Sequence, residues 1–262
     1  MEEKNSNIYE LINSIDLKNL YTSKEEKKTK EREINKINPA DCLYDRVCEC
    51  PVCRNKFKTK SVRKSKIRYI NNEIDLKPLF EPIQPDYYDV VICDKCGYSA
   101  ISSKFQKITD SQAEKVLKII TPKFYPKQYP DLYSIDDVIE RYQLALLNCV
   151  VKNVKAGEKA YVCFKIGWFY RDKKDEKNEL KYMEAAFGGF KVAYENESFP
   201  MCGLDENTLL YLIAATGAKI GCYDESLRFL SHLMAKRGLS IRLKNKIYDL
   251  KEFIKEKKTS KK

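Results

Sequence analysis

Histidine is almost missing from this chain: His232 is the only one in 262 residues, and Trp168 is the only tryptophan. A lone imidazole cannot supply a multi-histidine metal site, and no Ser-His-Asp pattern or Gly-rich phosphate loop accompanies it. His232 falls in the helical stretch 227–236, where a surface or packed role is expected rather than that of a base. Glycine and proline number nine each, which excludes fibrous and low-complexity classes and favours helices. Long apolar runs are also absent. None approaches the roughly 20 residues of a membrane-spanning helix, and Met1-Glu2-Glu3-Lys4 opens the chain without the apolar core of a secretory signal. No membrane partner is therefore expected. A cytoplasmic protein with reduced thiols is, which argues against a disulfide framework.

What the chain does have is cysteine, ten in all. Two Cys-x-x-Cys pairs stand out, Cys50-Pro51-Val52-Cys53 and Cys93-Asp94-Lys95-Cys96. A two-residue spacer in a tight turn lets both sulfurs face one point, and zinc takes four such soft ligands at about 2.3 Å. Cys50, Cys53, Cys93 and Cys96 are thus the expected metal ligands, with Zn2+ as the ion. Iron is the alternative, since four thiolates suit it too and Cys96-Gly97-Tyr98 is similar to a rubredoxin knuckle. A dithiol redox site would instead place one pair at a helix start within a βαβ pattern, and no such pattern is present. Gly97 follows the second pair and offers the backbone freedom such a knuckle needs, whereas Arg54 follows the first. Cys42 and Cys48 lie near enough to act as substitutes, although Cys48-Glu49-Cys50 has the wrong spacing. Cys149, Cys163, Cys202 and Cys222 fall in helical patterns and read as packed core thiols.

The pairs enclose 39 residues, more than compact zinc modules use, so a small sheet is expected to fill the interval. Phe57, Val62, Ile67, Tyr69 and Ile70 sit in β-prone stretches, and residues 87–92 lead into the second pair as a strand would. Pro78, Pro82 and Pro85 punctuate the loop between. The formal net charge of +11 invites a nucleic-acid reading. Local clustering supports it better than the total: Lys56, Lys58, Lys60, Arg63, Lys64, Lys66 and Arg68 form an acid-free run beside the metal site. Alternate spacing puts Lys56, Lys58 and Lys60 on one strand face. Against this, lysine is abundant everywhere, and residues 255–262 read as a solvated, frayed end.

Organisation follows from periodicity. Residues 1–40 read as a Ser6-capped helix carrying Ile8, Leu11, Ile12 and Ile15, then a mixed-charge tether. Residues 41–108 form the β-rich module, and 109–133 a connecting helix, capped at Ser111 with Glu114, plus a proline-bearing linker. Residues 134–257 then repeat a period near three and a half, with helices expected at 135–154, 158–171, 178–195, 206–220, 224–236 and 241–256, before a disordered tail at 258–262. Small residues at Gly167, Gly188, Gly189 and Ala214 permit close helix approach and loosely match a tetratricopeptide hairpin, although an insertion at 172–178 breaks the period and an ordinary bundle is the alternative. The fold class is α+β, a zinc-ribbon-like module followed by an all-α tetratricopeptide-like domain. Stacked hairpins make a concave groove, which Tyr161, Trp168, Tyr170 and Tyr211 are candidates to line.

A family resemblance rests on Cys50-Pro51-Val52-Cys53, Val62-Arg63-Lys64-Ser65-Lys66, Asp75, Pro85-Asp86-Tyr87-Tyr88-Asp89-Val90 and Cys93-x-x-Cys96-Gly97-Tyr98-Ser99-Ala100. Together these resemble the bacterial domain of unknown function 2225, specifically over residues 44–105 and loosely beyond. The resemblance implies a bacterial cytosolic protein with a zinc-ribbon-like module, tetratricopeptide-like helices and no assigned activity. Arg54 and the long N-terminal extension depart from that pattern. The functional expectation is a non-enzymatic binding or adaptor protein that holds another protein or a peptide, with nucleic-acid binding through the basic run as the alternative. Four cysteines leave a metal no open position for water, and Asp75, Glu81, Asp86 and Asp89 are expected to pair with lysines or cap turns.

Overall fold

The computed structural model describes residues 38–259. The Ser6-capped helix and the charged stretch at 23–37 lie outside the described residues. Three antiparallel hairpins come first: β1 (Leu43–Glu49) with β2 (Lys56–Val62), β3 (Arg68–Asn72) with β4 (Pro78–Glu81), and β5 (Val90–Ile92) with β6 (Ser99–Ile101). They form three separate two-stranded sheets, not the single small sheet expected from sequence. A two-stranded hairpin is marginal in water, so each must lean on something else. The first and third carry the cysteine pairs in their turns, and the second leans on the helices.

Two local expectations fail for identifiable reasons. β1 escaped notice because Asp45, Arg46 and Glu49 leave it without an apolar stripe, and most of its side chains are exposed. The expected strand at 87–92 shortens to Val90–Ile92 because Pro85, with its preset φ, starts a 3-10 turn over Pro85–Tyr88.

The helices are α1 (Asp110–Ile119), α2 (Ile135–Val151), α3 (Ala156–Asp172), α4 (Glu176–Asn196), α5 (Glu206–Lys219), α6 (Tyr223–Ala235) and α7 (Ile241–Thr259). Thr109, not Ser111, caps α1: its hydroxyl accepts from the Gln112 N–H at 3.3 Å while Gln112 Oε1 accepts from the Thr109 N–H at 3.2 Å. Helix α7 runs past the expected end at 256, and Lys258 in its last turn pairs with Asp224 at 2.6 Å.

Successive helices pack on one another, α3 on α4, α4 on α5 and α5 on α6, as a helical hairpin array requires and an ordinary bundle shares. Helix α5 is the axis. Every residue from Leu209 to Ala218 is buried, the fate of a helix with apolar or small side chains all round. At Gly189 a Cβ would lie 2.8 Å from that of Ala160, so glycine sets how closely α4 approaches α3. Gly188, expected to serve the same purpose, faces open space.

The module and the helices share their packing, and Pro39 to the C-terminal helix form one compact unit. Val90 and Ile101 belong to a core with Tyr142 of α2 and Phe169 of α3. The loop after β3 plunges into the helical half. There Asp75 accepts from the Trp168 indole at 3.0 Å and from Arg171 at 2.6 Å, and Arg171 also reaches Glu73 and, at 2.7 Å, Glu179. Lys77, 2% exposed, pairs with Asp172, and Lys165 pairs with Asp86 at 2.6 Å. Buried charges are costly unless matched, and in this clamp Asp75, Lys77, Lys165 and Glu179 each have an oppositely charged partner.

Removing one partner from such a network strands the others. Arg171→Ala is expected to destabilise the protein by about 3 kcal/mol or more, because it leaves Asp75 buried without a cation and Glu179 with Lys219 alone, 3.0 Å away. Urea unfolding followed by circular dichroism measures this, and a change within about 0.5 kcal/mol, the range of ordinary surface substitutions, refutes it.

Candidate metal centre and the adjoining groove

The two cysteine pairs occupy two turns with matching backbones. In the first, Arg54 N–H donates to Cys50 O at 2.9 Å and Cys50 N–H to Asn55 O at 2.9 Å. In the second, Gly97 N–H donates to Cys93 O at 3.0 Å and Cys93 N–H to Tyr98 O at 2.9 Å. Both turns need a left-handed residue after the second cysteine, and Gly97 supplies it at φ +73°. Arg54 adopts the same conformation at φ +60°, so the missing glycine adds local strain to the first turn without changing its shape.

These turns bring together all four expected ligands. The Sγ atoms of Cys50, Cys53, Cys93 and Cys96 lie within 4.8 Å of one another. Cys50 and Cys96 are 3.6 Å apart, as are Cys53 and Cys93. Sulfurs at about 2.3 Å from a tetrahedral centre would be roughly 3.8 Å apart, so the cluster has the dimensions that a metal requires. Sulfur bonding distributes the protons unequally: hydrogen bonds from Cys50 and then Cys96 hold the Cys93 thiol far below its usual range. The bond to Cys93 pushes Cys50 up to about 12, and the bond to Cys50 pushes Cys96 higher still. A cation arriving there displaces the remaining protons and binds thiolates, so acidification, which returns them, releases it.

The surroundings fix the turns in place. Asn55 bridges them, donating to Asp94 at 2.6 Å and lying 4.0 Å from Cys93 Sγ. Phe57, Val91, Tyr98, Ala100, Phe105, Val116 and Ile120 pack around the sulfurs. Helix α2 reaches in through Asn148, which donates to Gly97 O at 3.1 Å and Ser99 Oγ at 2.8 Å. Cys42 donates instead to Lys66 O, and Cys48 packs beside the cluster without joining it. Cys149 and Cys163 are buried as expected, Cys202 is half-buried, and Cys222 is exposed at the N-cap of α6.

Other nominated residues fare differently. Lys56 and Lys58 alternate with buried Phe57 and Thr59 on β2, exposed on one face, and Lys60 continues that row. Lys60 is already held by Asp45 and Asp131 at 3.0 Å each, and Arg68 by Glu81 at 3.0 Å. Arg63 lies over the Tyr44 ring and donates to Leu43 O, while the Lys64 and Lys66 side chains are exposed on a 3-10 turn. The aromatic groove is not formed as expected. Tyr211 is 0% exposed and donates to Ile74 O at 2.6 Å, Trp168 is committed to Asp75, Tyr161 packs between helical cores, and Tyr170 stacks on Tyr182. Burial of these rings gives more free energy than an open face would. His232 is exposed and meets Tyr194 Oη at 3.3 Å.

A different concavity opens beside the metal centre, of about 770 Å³, between the β2 face, the C-terminal end of α1, the linker to α2, and α2 itself. Phe57, Phe124, Tyr125, Tyr129 and Tyr133 line it together with Lys58, Lys60, Lys123, Lys127 and Arg141. Phe124 closes against Gly97, so the wall of this groove is continuous with the second cysteine turn. The sequence here reads as a linker, and its one signal for a site is four aromatics, Phe124, Tyr125, Tyr129 and Tyr133, crowded around Pro126 and Pro130.

The fold and site together define an α+β protein in which two of the three described hairpins present four convergent cysteines. The chain belongs to the family described as uncharacterized protein conserved in bacteria (DUF2225), whose model matches residues 43–254. No curated protein and no solved structure matches it.

Two outcomes follow from the geometry. Cys93→Ser, or chelation of a bound metal, is expected to abolish amide protection around residues 43–62 and 93–106 while the α5 amides stay protected, since a structural ion such as zinc contributes about 10–16 kcal/mol to a site of this kind. Hydrogen exchange checks this, and unchanged protection at the cysteine turns refutes it. Arg54→Gly relieves a left-handed non-glycine residue and is expected to raise stability by up to about 1 kcal/mol, read from the urea midpoint of the metal-loaded protein.

Proposed function

We propose that this protein is a metal-stabilised, non-catalytic binding protein of the bacterial cytoplasm, that the metal is zinc, and that ligands enter the groove beside it. The observation that carries the reading is the adjacency of a closed four-thiolate cluster and an open concavity of about 770 Å³, a volume typical of ligand sites. Four thiolates saturate a tetrahedral ion, which suits a structural rather than a hydrolytic role. The ten cysteines are all free, in keeping with a reducing compartment, and no described helix is long and apolar enough to cross a membrane. Iron is the alternative ion, and it would colour the protein through thiolate-to-iron absorption.

The rings expected to line a groove between helices pack in the core instead, so the proposed binding surface is the seam between hairpins and helices. Leu147 of α2 lines that seam and is 49% exposed, which makes it a place to block entry without disturbing the core.

Elemental analysis of protein purified without chelator is expected to find one zinc per chain. Native mass spectrometry of the same preparation is expected to show a copurifying species on the wild type that is depleted about tenfold on Leu147→Trp. Equal recovery on both would put binding elsewhere.

A further inference from the structure

The groove is not electrically balanced. Five cations line it against three carboxylates: Asp45 is paired with Lys60 and Glu140 with Lys127 at 2.5 Å, while Asp94 accepts only from the neutral Asn55 amide and keeps its charge. Of the cations, Lys58 and Lys123 have no side-chain partner among the described residues. Arg141 is the more telling one. It is 5% exposed, its guanidinium donates to Val90 O at 2.7 Å and lies 4.8 and 4.6 Å from the Tyr129 and Tyr133 ring centres, yet among the described residues no carboxylate pairs with it and its Nε is buried without a partner. An uncompensated cation in a low-dielectric wall projects a positive potential into the concavity before it. The occupant is therefore anionic.

Its shape is set by the rings. Tyr125 is 85% exposed on the strap that follows Phe124, an exposure that costs free energy for a residue of this size unless a planar group covers it. The cationic row does not stop at the groove: Lys56 extends it along β2, and Lys64 and Lys66 stand exposed after it. A compact anion would use the groove alone, and an acidic peptide would satisfy the lysines while giving the rings no flat partner. A polymer that alternates phosphates with planar bases satisfies both. In a duplex those bases are already stacked and cannot reach the rings.

Resting on the groove reading above, we infer that the occupant is a single-stranded nucleic-acid segment, its bases stacking on Tyr125 and its neighbours and its phosphates taken by Lys58 and Lys123, with Lys56 continuing the track. This differs from binding by the basic run at large, because Lys60 and Arg68 are already paired and the linker aromatics take part.

The test uses the zinc-loaded full chain and fluorescence anisotropy with a labelled single-stranded oligonucleotide of about ten nucleotides, within the span one such module covers. Binding is expected to weaken with salt. Tyr125→Ala should weaken it roughly 5- to 150-fold, and Lys58→Ala and Lys123→Ala should each lower the salt slope by about 0.7, whereas Lys255→Ala on α7 should change neither. All four positions are on the surface or near it, so the variants should fold, which their circular dichroism verifies. Duplex binding as tight as single-strand binding, loss of affinity with Lys255→Ala equal to that with Lys123→Ala, or no binding at low salt would each overturn the inference. If the oligonucleotide fails while a copurifying peptide is still displaced by Leu147→Trp, the nucleic-acid assignment falls and the groove stands.

Discussion

Closure of the four sulfurs is the constraint on which the rest of the hairpin region depends. Cys50 and Cys53 sit in one turn, Cys93 and Cys96 in another, and their Sγ atoms converge to within 4.8 Å. Three two-stranded ribbons that do not pair with one another have no sheet to hold them. The buried apolar set around the sulfurs is small, so a metal crosslinking the two turns would replace the core that a larger sheet would have provided. The equivalent hydrogen bonding of both turns, down to the left-handed residue after each second cysteine, shows that the backbone is shaped to present sulfur and not merely to reverse direction.

The middle hairpin has no cysteine and solves the same problem with charge. Glu73, Asp75 and Lys77 enter the helical half and meet Arg171, Trp168 and Asp172, while Tyr211 of the central helix donates to Ile74 O. Desolvating these groups is unfavourable by itself, and their value lies in permitting one docking geometry. The consequence reaches the groove. β2 and the cysteine turns form one wall, α2 and its linker the other, and their separation is set by this clamp together with the Asn148 contacts to Gly97 and Ser99.

Sequence reading reached the features that local chemistry determines. The ligand set is legible because Cys-x-x-Cys fixes sulfur positions by spacing alone, and the six long helices because helix-forming stretches of helix length are bounded by breaks such as Gly157, Pro200, Gly221 and Gly238. What escaped were features that tertiary contacts determine. β1 is polar on most positions and pairs only because its partner is held by the cysteine turn. Tyr211 and Trp168 look alike in sequence whether they line a groove or fill a core; the partner that decides, Asp75 or Ile74, lies more than 90 residues away. Lys60 and Lys58 are two residues apart in one basic run, yet only folding shows that Asp131 and Asp45 claim the first, raising its pKa, and leave the second open.

That distinction between spent and unspent charge separates the groove from the rest of the basic run. A formal charge of +11 spread over an exposed surface is screened within about 8 Å at physiological salt. Arg141 is different, because its surroundings are protein and aromatic rings rather than water, and its field is not dissipated in the same way. Burial of Tyr129, with Glu140 beside it, pushes that phenol up to about 12, so it stays neutral beside the guanidinium and does not compensate it. The seam thus keeps a fixed positive charge behind neutral rings at any physiological pH. Such an arrangement would suit an anion with a flat apolar part, and the packing of Phe124 against Gly97 joins its wall to the second cysteine turn.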